Sequence, residues 1–132
     1  MRPDRFTQKM QEAVQAAQDL AGKAGHSEIT NEHFLLALLE QTDGVARPLL
    51  DKMGVPSKTL EDYLHLDLSR RASVQGGSLA LGRDLSATIE TAEKEMSRMK
   101  DEYLSAEHYL LAVSESASPL GQMLRKSGIT RD

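Results

Sequence analysis

The sequence predicts an all-α domain made of two tandem copies of one four-helix unit, related by a pseudo-twofold axis, with the second copy lacking its last helix. Three observations predict it. The phrase ITNEHFLLALLE at 29–40 returns as LSAEHYLLAVSE at 104–115, 75 positions later. Apolar residues before each phrase fall at the three- and four-residue intervals of a buried helical stripe. Short segments ending in KMG at 52–54 and KSG at 126–128 punctuate both halves in the same order.

In the first copy Phe6, Met10, Ala13, Val14, Ala17, Leu20, Ala21 and Ala24 form one stripe; Asp4 or Thr7 can cap that helix and Gly22 or Gly25 can end it. Thr30 reads as the N-cap of a second helix. Glu32 stands in its first turn, where the helix dipole favours an anion, and Leu35, Leu38 and Leu39 supply an inner face. A short third helix is expected over 45–53, stopped by Gly54. Pro56-Ser57 opens a fourth through Leu60, Tyr63, Leu64 and Leu68. The stretch SRRASVQGGSLALG at 69–82 lacks periodicity and reads as a mobile connection.

Beyond it Leu85, Thr88, Ile89, Ala92, Met96 and Met99 stand 75 positions after Met10, Ala13, Val14, Ala17, Ala21 and Ala24. Ser105 and Glu107 repeat Thr30 and Glu32, and Ser118-Pro119 opens a helix through Lys126 that stops at Gly128. The expected division is thus a single domain over 1–132, with repeat one at about 4–68, the connection at about 69–82 and repeat two at about 83–132. Val55-Pro56-Ser57 launches the fourth helix, whereas its match at 129–131 is followed by Asp132 alone. The reading is a module cut from a longer chain, or one whose last helix has been lost. Each copy has too few helices to close its own core, so the copies are expected to pack on each other and leave a seam.

With 132 residues, folding can bury roughly 68% of the extended chain's surface. The absence of cysteine excludes disulfides and thiolate metal sites and permits a reducing compartment, so a cytoplasmic location is the expectation. The N-terminus lacks the apolar core of a signal peptide, and no apolar run approaches the ~20 residues that span a bilayer. A net charge of -4 with interspersed signs argues against a nucleic-acid surface; Arg70-Arg71 is a tight basic pair, and it sits in the connection.

No phosphate-binding loop is present: residues 121–127 (GQMLRKS) lack the second glycine. No serine or histidine has a nucleophile-elbow context, so neither catalysis nor a bound cofactor is expected of this segment. His26, Glu28, Glu32 and His33 match no ligand spacing, and His33 and His108 share one position in equivalent helices, which favours packing or capping over metal ligation. The dipole role alone accounts for Glu32 and Glu107.

The opening MRPDRFTQK, the repeated [TS]-x-E-H-[FY]-L-L-A phrase, the KMG and KSG endings and the 75-residue repeat together resemble the N-terminal domain of Clp ATPases, within that family most closely the protein-disaggregase branch. The resemblance covers the whole chain. It implies a compact domain of two Clp repeats, monomeric alone and tethered above a hexameric AAA+ ring. There it would capture unfolded or aggregated polypeptide. ATP and magnesium, the ring contacts of the homo-hexamer, and the coiled-coil middle domain that meets an Hsp70-type chaperone would all belong to regions beyond this segment. Carried onto this sequence, the family's polar substrate-binding residues fall on Thr7, Asp101 and Glu107, beside an apolar groove holding Ile89 and Leu85 and made more polar at one end by His108. A protease-associated unfoldase whose domain binds an adaptor is the alternative within the family; a free-standing helical adaptor is the alternative outside it.

Overall fold

The structure is a computed structural model that describes residues 3–74 and 78–126. Seven helices are described: α1 (Gln8–Lys23), α2 (Asn31–Leu39), α3 (Ala46–Lys52), α4 (Ser57–Ser69), α5 (Arg83–Arg98), α6 (Ala106–Ser114) and α7 (Pro119–Lys126). The bounds of α5 and α6 are those of α1 and α2 plus 75 (8 to 83, 23 to 98, 31 to 106, 39 to 114). Gly128, the expected stop of α7, and the segment 129–132, where a further helix would begin, lie outside the described residues.

Local chemistry explains the ends. Of the two capping candidates, Thr7 is the one used: its Oγ1 accepts from the Met10 N–H at 3.2 Å. The helix α1 closes at Gly25, whose φ of +74° lets the His26 N–H reach the Ala21 carbonyl at 2.9 Å. The same turn ends α5, yet there Lys100 adopts the left-handed conformation (φ 60°), and the Asp101 N–H reaches the Met96 carbonyl at 3.0 Å. A lysine in that region costs about 1 kcal/mol that a glycine does not. The last carbonyls of α2 and α6 are each held by a guanidinium from the next helix: Arg47 Nε donates to Leu39 O at 2.9 Å and Arg125 Nη1 to Ser114 O at 2.6 Å.

The central layer is α2 with α6. Sequence patterning assigned α2 one inner face, but Asn31 and every residue from His33 to Leu39 are buried, as are Ala106 and every residue from His108 to Ser114 in α6. Helices apolar all round belong inside. The aromatic rings of Phe34 and Tyr109, equivalent positions 75 apart, meet with centroids 4.6 Å apart and a tilt of 52°.

Two short strands, β1 (Glu28–Ile29) and β2 (Ala80–Leu81), were not foreseen. They pair in parallel with Leu81 against Ile29, and an isolated parallel bridge joins Phe6 to Leu104. Subtracting 75 from 81 gives 6, and adding 75 to 29 gives 104, so the two pairings are copies of each other. Each repeat's opening segment therefore completes the other repeat, which ties the halves reciprocally. The expected mobile connection is correspondingly anchored where it is described. The Val74 N–H donates to Gly25 O at 2.7 Å, and the Gly82 N–H donates to Ile29 O at 2.9 Å. Residues 75–77 lie outside the described residues.

The polar groups of the core break this symmetry. Buried Asn31 donates to Thr88 Oγ1 at 3.0 Å and accepts from the Tyr109 hydroxyl at 2.9 Å. The three equivalent positions in the other half are Ala106, Ala13 and Phe34, which carry no hydrogen-bonding side chain. Among the described residues no buried side-chain nitrogen or oxygen lacks a partner, so the one-sided network is fully satisfied.

Candidate functional site

An apolar trough of about 120 Å³ opens along the line where the halves meet. Val14, Ala17 and Gln18, on one stripe of α1, form one wall. Ile29 and Phe34 form the floor, while Leu79, Leu81 and Leu85 close it from the second half. Strand geometry explains the pair at the lip, because residues two apart share a face. Leu79 is 38% exposed and Leu81 36%. Large apolar side chains left facing water beside a cavity mark a surface built to be covered.

The duplicated half shows why the trough is open on this side. Position 6 is the counterpart of 81 and carries Phe6, only 1% exposed, and position 4 is the counterpart of 79 and carries Asp4. A buried phenyl ring on one side answers a half-exposed leucine on the other.

The residues implied by family resemblance fall mainly on that filled side. Thr7 caps α1, and its N–H donates to the Leu104 carbonyl at 3.0 Å. His108 is buried: the Ser105 N–H donates to its Nδ1 at 2.9 Å, so Nε2 carries the proton and donates to Asp101 Oδ2 at 2.7 Å. Asp101 remains 47% exposed, and Glu107 is exposed in the first turn of α6. Thr7, Asp101, Glu107 and His108 thus surround the segment 104–105. Ile89 and Leu85 are each 2% exposed, because the α5 stripe faces α6. Of the six, Leu85 alone lines the trough.

In the first half the same capping arrangement recurs with different chemistry. The Thr30 N–H donates to His33 Nδ1 at 2.9 Å, and His33 Nε2 meets His26 Nδ1, the counterpart of Asp101, at 2.8 Å. The shared position of His33 and His108 is therefore a capping box in both copies. Burial, with Arg71 and His26 adding to it and Asp67 opposing, lowers the His33 pKa from 6.5 to about 4. Both ring nitrogens of His33 are engaged, which leaves no lone pair for a metal.

Sequence reasoning gave Glu32 to the helix dipole and Arg71 to a loop, and it missed that they meet. The Arg71 guanidinium donates to Thr30 Oγ1 at 2.7 Å, Glu32 Oε1 at 2.8 Å and Asp67 Oδ2 at 2.9 Å. One group with metal-ligand geometry exists among the described residues, Glu40, Glu61 and His65. Glu61 is already paired with Arg47 at 2.7 Å.

The Clp repeat (R) N-terminal domain family matches residues 5–127. The chaperone protein ClpB of Bacillus cereus is 35% identical across 98% of the chain, and that of Vibrio cholerae serotype O1 is 38% identical across 98%. The chain spans 16% and 15% of those relatives' lengths. Among solved structures, the N-domain of ClpV from Vibrio cholerae superposes with a TM-score of 0.82 at 20% identity, covering 96% of this chain and 79% of that one. The Hsp104 N-terminal domain from Candida albicans gives 0.80 at 20% identity, covering 92% and 81%. Those two likenesses concern the fold. Together with the duplicated capping boxes and reciprocal strand pairing, the family match and the ClpB identities establish that this chain belongs to the Clp repeat N-terminal domains, which are non-catalytic binding domains.

Proposed function

We propose that this domain captures exposed apolar segments of unfolded or aggregated polypeptide in the trough at the repeat seam and serves a ClpB-like AAA+ chaperone that disaggregates proteins. The half-exposed Leu79 and Leu81 over a Phe34 floor carry the reading. A shallow trough of this size holds a side chain or two, so binding is weak and tolerant of sequence. Tight capture would oppose passage to an ATPase ring. In this reading ATP, magnesium, the hexamer contacts and the Hsp70-type partner all belong to the rest of such a chaperone, and the setting is the cytoplasm. Among the described residues no helix is long and apolar enough to cross a membrane.

One comparison favours a second reading. A ClpV N-domain, 20% identical to this chain, is known in complex with a VipB peptide. By that analogy the trough would take one dedicated adaptor or partner segment. Breadth of binding separates the two: a chaperone trough accepts many unfolded chains, an adaptor site one sequence.

Leu81→Asp, at the lip, is expected to weaken binding of a reduced, carboxymethylated model protein about tenfold by fluorescence anisotropy, the value of one leucine's burial. Thr7→Ala and Glu107→Gln, on the filled side, are expected to leave it within about twofold. The opposite ranking would move the site to the segment around 104–105.

A further inference from the structure

The two repeats pair their opening segments alike but finish them differently. In β2 the ladder to β1 uses the residues that flank Leu81: the Ala80 N–H donates to Ser27 O at 3.1 Å and the Gly82 N–H to Ile29 O at 2.9 Å. Successive residues of a strand present their N–H and C=O to opposite edges, so those of Leu81 point away from β1. Leu79, Ala80 and Leu81 are all exposed. The lip of the trough is thus an open strand edge, and among the described residues nothing bonds to Leu81 on that side.

The first repeat closes the equivalent edge with its own side chain. Phe6, the counterpart of Leu81, lies between two residues bonded to Leu104: the Leu104 N–H donates to Arg5 O at 2.8 Å, and the Thr7 N–H donates to Leu104 O at 3.0 Å. The outward carbonyl of Phe6 accepts from Gln11 Nε2 at 3.1 Å. Adding 75 turns Gln11 into Ser86, an exposed residue with a shorter side chain and no amide. The backbone around it is unchanged, since the Gln11 N–H donates to Thr7 O at 2.9 Å and the Ser86 N–H to Gly82 O at 3.0 Å. The second repeat therefore keeps the strand and omits the amide that seals its edge.

An open edge beside apolar side chains suits an extended chain, because backbone bonds hold it while alternate side chains share one face. We infer that a bound polypeptide adds to β2 as an extended strand, its backbone N–H donating to Leu81 O and its carbonyl accepting from the Leu81 N–H. Alternate side chains then lie on the face of Leu79 and Leu81, and one of them enters the trough. The added strand continues the sheet that already joins the two repeats. The inference rests on the trough reading and gives it a mode: part of the affinity comes from the backbone, which every sequence shares, so the site requires an extended segment with an apolar anchor. So short an edge offers few bonds, which fits brief capture better than a stable pairing of two copies of the domain.

A fluorescein-labelled peptide with one central phenylalanine in a polar, β-prone segment, N-methylated at one backbone position at a time, tests it by anisotropy. Removing an N–H that faces the edge is expected to weaken binding about fivefold, and removing one that faces away to change it less than about twofold. The loss should therefore alternate residue by residue around the phenylalanine. Ser86→Gln, which supplies the amide of the first repeat, should weaken the unmethylated peptide about threefold and add nothing to the most damaging methylation. Uniform losses, as a helical partner would give, or an unmethylated peptide indifferent to Ser86→Gln, overturn the inference. Self-association of the domain that Ser86→Gln abolishes would assign the edge to a second copy and overturn it as well. Any of these results with methyl shifts at Leu79 and Leu81 overturns the strand mode alone. If no peptide binds or moves those methyls, the trough reading falls with it.

Discussion

Replacing Gly121 with alanine is expected to destabilise the domain by about 3 kcal/mol, because the new methyl has nowhere to go. Gly121 sits at the start of α7, where its N–H donates to Ser118 Oγ at 3.2 Å. A Cβ there would overlap the Ser116 carbonyl and lie 2.9 Å from the Val113 carbonyl. Those are backbone atoms, and the Ser116 carbonyl cannot retreat easily, since Arg125 Nη1 holds it at 2.7 Å while also binding Ser114 O. Relief requires lifting α7 from the end of α6, which exposes Leu120 and Leu124. Thermal unfolding should show a drop of about 10 °C. Gly22→Ala supplies the contrast: an added Cβ there meets nothing within 4 Å on an exposed face of α1, so helix propensity alone should raise stability by about 0.5–1 kcal/mol. Equal effects at both positions would contradict the packing described for α7.

Acid is expected to begin eroding stability through His33 at pH values above those at which ordinary carboxylates titrate. The unfolded chain protonates His33 near 6.5, the folded one near 4, because the ring is buried beside Arg71 and His26. Between those pH values the unfolded state binds more protons, so stability rises with pH across the window. The contribution, on the order of 3 kcal/mol, is fully present above about 6.5 and is lost as pH falls through about 4. His26→Asp tests the cause. It copies the Asp101 arrangement of the second half, in which a carboxylate accepts from the histidine Nε2 at 2.7 Å. The introduced charge should raise the His33 pKa, measured by NMR titration of the ring, and flatten the urea-unfolding stability between pH 6.5 and 4. Unchanged acid sensitivity in that variant would show that the His26 pairing does not govern His33.

The helical frame was legible because it rests on period. Stripes such as Met10, Ala13, Ala17 and Ala21 fix α1, and their echo 75 residues on fixes α5. Glycine and proline supplied the ends, with Gly25, Gly54 and Pro56 all at helix boundaries. The two-residue strands were not legible: so short a segment has no period, and their partners lie about fifty residues away in sequence. The capping role of His33 and His108 followed from their shared position, but the difference between a His26 partner and an Asp101 partner is visible only once the turn before each helix is folded. The trough proposed as the site was the least legible part. Resemblance directed attention to Thr7, Asp101 and Glu107, whereas the open trough is defined by a contrast between the copies, Leu79 and Leu81 against Asp4 and Phe6. That contrast was present in the sequence, and comparing the halves position by position would have exposed it.

Methyl NMR of the domain titrated with an unfolded model protein tests the central claim most directly. The account predicts saturable shifts at Val14, Leu79, Leu81 and Leu85, with Leu104 and Leu110 on the filled side unmoved. Shifts centred on Leu104 and Leu110, with the trough methyls silent, would contradict it.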